Sequence, residues 1–180
     1  AVEGFKIFNP DLPIVFIVIC ILLLLFIFQR FGTKVVGNSF GPVIVLWFLM
    51  LASLGLSQII GHTEVFRAIN PRYAYHLLFL YPGGFWLLGA VFLCTTGADS
   101  LYSDLGHCGR KNIQISWIFI KICLILNYFG QGAWLLANEG SVLNDRNPFF
   151  YIMPPWLLIP GIILATAAAV IASQALISGS

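Results

Sequence analysis

The stretch Leu87-Leu88-Gly89-Ala90-Val91-Phe92-Leu93-Cys94-Thr95-Thr96-Gly97-Ala98-Asp99-Ser100-Leu101-Tyr102 decides how this chain is read. Its first half is apolar enough to enter a membrane, and its second half carries a carboxylate, Asp99. A charge at membrane depth costs a few kcal/mol or more, so it needs a partner, a water-filled cavity or a cation beside it. Thr96, Gly97 and Ala98 stand directly before it and give a helix a place to break. Interrupted helices of this kind form the ion sites of secondary transporters.

A break near Gly97 frees the carbonyls of Cys94, Thr95 and Thr96 from intrahelical pairing. They become the negative end of a half-helix, suited to a cation. Asp99 then opens the next half-helix, whose positive end helps keep the carboxylate ionised. Thr96 and Asp99 are three residues apart, so a hydroxyl and a carboxylate can converge. Hard oxygen ligands suit an alkali cation, and no His/Cys cluster suggests a transition metal. The competing reading is a buried acid that pairs with another helix and only holds the bundle together.

Composition sets the class. The chain is 59% hydrophobic and 9% charged, against about 25% charged in soluble domains, so an integral membrane protein is expected. A net charge of +2 implies neither nucleic acid nor an acidic partner. The four cysteines, Cys20, Cys94, Cys108 and Cys123, are widely spaced without a CxxC. In apolar runs a thiol behaves as a small hydrophobe. Both ends look cut from a longer protein, and no signal peptide is legible at Glu3 and Lys6.

Crossing the hydrocarbon core takes about 20 apolar residues. Five spans are expected in one transmembrane domain, over about 13–29, 41–60, 85–105, 113–136 and 156–177. Pro42 falls in the first turn of the second, where a missing N–H is harmless. Lys and Arg tie between the two sides: Arg30, Lys34, Arg110 and Lys111 against Lys6, Arg67, Arg72 and Arg146. The shorter loops with few acids favour Arg30/Lys34 and Arg110/Lys111 as cytoplasmic. On the fifth span Gly161, Ala165, Ala168, Ala172, Ala175 and Gly179 share one face, which lets another backbone approach closely.

Three readings compete for Lys121: snorkelling toward the cytoplasmic surface, a structural pair with Asp99 at similar depth, or a residue that carries a coupled proton. Lys121 shares a helical face with Trp117, Leu124 and Tyr128, turned away from Asn127 and Gln131. The latter two amides stand beside Gly130 and Gly132 and can bond to a neighbouring backbone or contact an ion. His107 reads as a cap or interface residue. Ser173 and Gln174 remain ambiguous, and the five tryptophans fall mostly near span ends or on lipid-facing positions. Neither HExxH, GxGxxG, a P-loop nor a Ser–His–Asp set occurs, so an enzyme is not expected.

Several strings resemble signatures of the KUP/HAK/KT potassium uptake permeases. They are Phe31-Gly32-Thr33 with Gly41-Pro42, Thr96 through His107, Leu126-Asn127-Tyr128-Phe129-Gly130-Gln131-Gly132-Ala133, Asn147-Pro148-Phe149-Phe150, and Val170-Ile171-Ala172-Ser173-Gln174-Ala175. The resemblance runs over essentially the whole chain. It implies part of a LeuT-like bundle of two inverted five-helix repeats, here spans four to eight of about twelve. It also implies K⁺ import with H⁺ at the plasma membrane, with Arg30/Lys34 and Arg110/Lys111 in the cytoplasm. Thr96 and Asp99 would bind potassium, supported by Thr95, Gly97, Tyr102, Asn127 and Gln131. Asp99 and Lys121 are the candidates for proton coupling. Potassium is the substrate and the only metal, and no cofactor is implied. The partners would be lipid, the remaining spans of the same protein and, as one arrangement, a second copy. An amino-acid transporter on the same fold and a non-transporting channel or assembly subunit are the alternative readings. Two departures stand out: Asp99 replaces the Glu usual in the resemblance, and Lys121 replaces an apolar residue.

Overall fold

Hydrocarbon leaves no backbone group to water, and helices satisfy their own; every regular element in the described residues is helical. The computed structural model describes residues 13–29, 34–95, 110–140 and 147–179. Helix α1 runs Ile14–Gln29 and α2 Lys34–Gly61, followed by a 3₁₀ helix Thr63–Ile69. Then come α3 Pro71–Phe79, α4 Gly84–Thr95, α5 Arg110–Ala137, the short α6 Pro148–Tyr151 and α7 Pro155–Gly179.

Three of these are long and apolar enough to cross a membrane: Phe40–Gly61 within α2, Lys111–Ala137 within α5 and Pro155–Ser173 within α7. A fourth is counted if α3 and α4 form one bent span, folded by 113°. Within the expected first span, Ile14–Leu23 is apolar but shorter. The protein is thus an all-helical, multi-pass membrane protein with three or four such helices among the described residues.

Two expectations change. Pro42 lies well inside α2, because the helix begins at Lys34 rather than near Gly41. A proline removes one helical hydrogen bond there, and a membrane helix tolerates this when neighbours re-satisfy the freed carbonyl. The bend that is described falls between α3 and α4, ahead of the expected third span. Gly83 there has φ +92°, a left-handed conformation open to glycine at little cost. A Cβ on Gly84 would strike the carbonyl of Leu77, so α3 folds back on α4 only through this glycine pair. The break expected near Gly97 lies outside the described residues.

The principal helix pair is α2 with α5. They cross glycine on glycine: a Cβ on Gly55 would come within 2.8 Å of the Asn127 backbone nitrogen, and one on Gly130 within 2.7 Å of the Gly55 oxygen. Small residues let membrane helices touch backbone to backbone, where dispersion contacts rather than hydrophobic burial hold them. Beside the crossing, Ile59, the 3₁₀ residue Val65 and Ala133 form one buried cluster. A second joins α2 to α7 through Met50, Leu54, Phe150, Met153 and Ile162. The small face of α7 looks inward over its first half: Gly161 leaves room for the Met153 sulfur, and Ala165 and Ala168 are buried, whereas Ala172 is exposed.

Candidate functional site

Burial along α5 follows one face, Cys123, Asn127, Gly130 and Ala133. That face meets α2, and the glycine crossing sets how deeply its residues sit. Asn127 is the one buried polar side chain among the described residues, with 7% of its surface exposed. It makes no side-chain hydrogen bond to another described residue. Every fully enclosed side-chain nitrogen or oxygen in the described residues has a partner. The Asn127 amide therefore keeps its polar atoms in contact with open space.

That space is a cavity of about 570 Å³ between α2, α5, α6 and α7. From α5 it receives Asn127, Tyr128 and Gln131; from α2, Trp47 and Phe48. Asn147 lies at one end, where its side chain also accepts a hydrogen bond from Phe149 N at 3.1 Å and caps α6. The α7 wall is made of alanines, Ala165, Ala168, Ala169 and Ala172. Charged side chains are absent from this lining among the described residues. The small-residue face of α7 thus borders a mostly apolar, uncharged space whose amides come from Asn127, Gln131 and Asn147.

Lys121 takes the other direction. Its Nζ stands 3.6 Å from the centre of the Trp117 ring, one helical turn toward the Arg110 end. Helical side chains lean toward the N-terminus, so the ammonium is carried that way. Leu124 and Tyr128, which share its expected face, instead wall the cavity. Of Thr95 only the backbone is described, as the last residue of α4. Thr96, Gly97, Asp99 and Tyr102 lie outside the described residues, as does His107, so the structure brings together Asn127 and Gln131 from the expected set. Ser173 uses its hydroxyl on Ala169 O at 2.9 Å.

Sequence reading missed Trp47, Phe48 and Asn147 as cavity residues. Trp47 is half-buried and packs edge-on against Phe149 at 5.6 Å rather than sitting at a span end. Asn147 before Pro148 did carry a signal, since an Asn N-cap followed by Pro is a common helix start. Trp86 and Trp156 are exposed, as expected of lipid-facing or end positions.

Residues 1–180 match the family model described as "K+ potassium transporter integral membrane domain". A protein of Cytophaga hutchinsonii named "Probable potassium transport system protein Kup" is 62% identical over 185 residues, covering 100% of this chain and 28% of that protein. The similarly named protein of Flavobacterium johnsoniae is 60% identical, over 100% of this chain and 29% of its own length. In Clostridium perfringens such a protein is 49% identical, over 100% of this chain and 30% of its own length. No solved structure matches the chain.

Proposed function

The chain belongs to the K⁺ potassium transporter family, whose integral membrane domain matches it from residue 1 to residue 180, and from this premise we propose that it is part of a secondary active K⁺ importer. The chain spans about 28% of the length of the Cytophaga relative it matches, so the activity is that of a longer protein. The observation that carries the reading is this end-to-end match to proteins named for potassium transport. Uptake is K⁺/H⁺ symport by alternating access in the plasma membrane, with the Arg30/Lys34 and Arg110/Lys111 loops cytoplasmic.

The finer architecture of the proposal is five spans of a LeuT-like inverted repeat, the third interrupted near Gly97. Thr96 and Asp99 hold the dehydrated ion, with Thr95, Gly97 and Tyr102 around them and the α5 amides behind. The chemistry supports this assignment. A carboxylate about 4 Å from the ion, at an effective dielectric of about 20, contributes about 4 kcal/mol toward the hydration K⁺ gives up. The lipid, the remaining spans and, in a dimer, a second copy complete the surroundings.

The test uses the full-length protein. Asp99→Asn keeps the shape and removes the charge, so K⁺ affinity should fall by about two orders of magnitude or more. Asp99→Glu restores the longer carboxylate and should retain uptake. Undiminished K⁺ uptake by Asp99→Asn would sink the assignment of this carboxylate to the ion.

A further inference from the structure

The α2 span ends at Gly61, so the residues that follow start at a membrane surface. Val65 of the 3₁₀ helix is buried with Ile59 and Ala133, which pins the start of this connection to the α2–α5 bundle. We propose that the next element, α3 (Pro71–Phe79), is an interfacial helix that lies along the membrane plane and is seated on the headgroup region of the surrounding phospholipid. The bend between α3 and α4 is 113°, not far past a right angle. When α4 runs across the bilayer, α3 therefore runs along its surface, and the usual tilt of a spanning helix, about 20°, covers the difference.

The sides of α3 sort as such a helix requires. By helical periodicity Ala74, Leu77 and Leu78 share one side, Arg72 and His76 take the opposite one, and Tyr73 and Tyr75 flank the boundary between them. The apolar side is the one turned toward α4, since Leu78 is half-buried while the rest of α3 is exposed, and a Cβ on Gly84 would strike the Leu77 carbonyl. Tyr73 and Tyr75 are 56% and 59% exposed. With Tyr81 they make three of the six tyrosines in the chain, all within residues 73–81. Tyrosine collects at the membrane–water boundary, where its ring meets the acyl edge and its hydroxyl the headgroups. Arg72, and Arg67 in the last turn of the 3₁₀ helix, are exposed and offer the planar donor fork that fits phosphate oxygens. Glu64 is the one acid between Gly61 and Gly84. Phe79, stacked on Tyr75 at 4.8 Å, departs from this division at the last turn.

The experiment places a nitroxide on single cysteine substitutions at positions 72 to 77 of the full-length protein. The protein is reconstituted in vesicles of phosphatidylethanolamine and phosphatidylglycerol, and the wild-type signal is subtracted. Collisions with oxygen, which concentrates in lipid, are compared with collisions with a water-soluble nickel complex. The oxygen-to-nickel ratio should follow the helical period. It should be severalfold higher at Ala74→Cys and Leu77→Cys than at Arg72→Cys and His76→Cys, with Tyr73→Cys and Tyr75→Cys between them. If Leu77→Cys fails to fold, Ala74→Cys carries the same comparison. Equal and free access of the nickel complex to all six positions would place α3 in water and overturn the inference. Few collisions with either reagent at positions 73, 74 and 77 would place another protein segment over the helix and overturn it as well.

Discussion

Lys121 stands about 16 Å along α5 from Arg110, at 1.5 Å per residue, deep enough that its charge needs an explanation. Sequence alone left three readings open, because a lysine's long stem gives no direction. The contact with Trp117 favours snorkelling, and an exposed cation–π contact is worth about 0.5–1 kcal/mol. Lys121→Met in the full-length protein should therefore leave K⁺ uptake and its pH response nearly intact, with stability reduced by about 1 kcal/mol at most. Loss of the response to a pH gradient with K⁺ exchange retained would assign it the coupled proton instead. Asp99 lies outside the described residues, so pairing with Lys121 is tested genetically. If the two only neutralise each other, Asp99→Asn combined with Lys121→Met should restore the folding and uptake lost in Asp99→Asn. Continued failure of that double variant is expected, because the carboxylate is assigned to the ion.

At the scale of elements, the α2–α5 crossing depends on two hydrogens where other residues have side chains. Overpacking a core costs about 1–3 kcal/mol when side chains can shift. At Gly55 and Gly130 the obstacle is backbone, which moves only with the whole helix. Gly130→Val should therefore cost about 3 kcal/mol or more and lower the detergent unfolding midpoint clearly, with Gly55→Ala close behind. Gly89→Ala on α4 meets nothing within 4 Å among the described residues and serves as the control, expected to leave the midpoint unchanged. Equal effects at the three positions would mean that the crossing is not what the glycines serve. Neither Gly55 nor Gly130 announces a crossing in the sequence, since a glycine in an apolar helix marks close approach without naming its partner. Residues 71–79 show the same limit. They fell between the expected spans at 41–60 and 85–105, and the fold of α3 onto α4 at Gly83 and Gly84 became visible only in three dimensions.

For the whole molecule, the described helices leave large apolar side chains uncovered, such as Phe85, Trp86 and Phe92 on α4. On the proposed reading, lipid and the further spans of a longer protein cover them. The 180 residues alone should therefore give no saturable K⁺ uptake when reconstituted in liposomes; such uptake would show that the full ion path lies within them. What the sequence determined was class and family. Hydrocarbon solvation is read residue by residue, so an apolar, charge-poor chain must span a membrane as helices wherever its neighbours are. Strings such as Asn127 through Ala133 carried the family, and Asp99 in an apolar run marked the candidate ion site because burying a charge is costly in any fold. Tertiary structure alone decided how the pieces meet. It set the glycine contact between α2 and α5 and drew Trp47 and Asn147 to the cavity that holds Asn127 and Gln131. These depend on crossing geometry and side-chain direction between segments far apart in the chain, and the periodicity of a single helix contains no information about its partner.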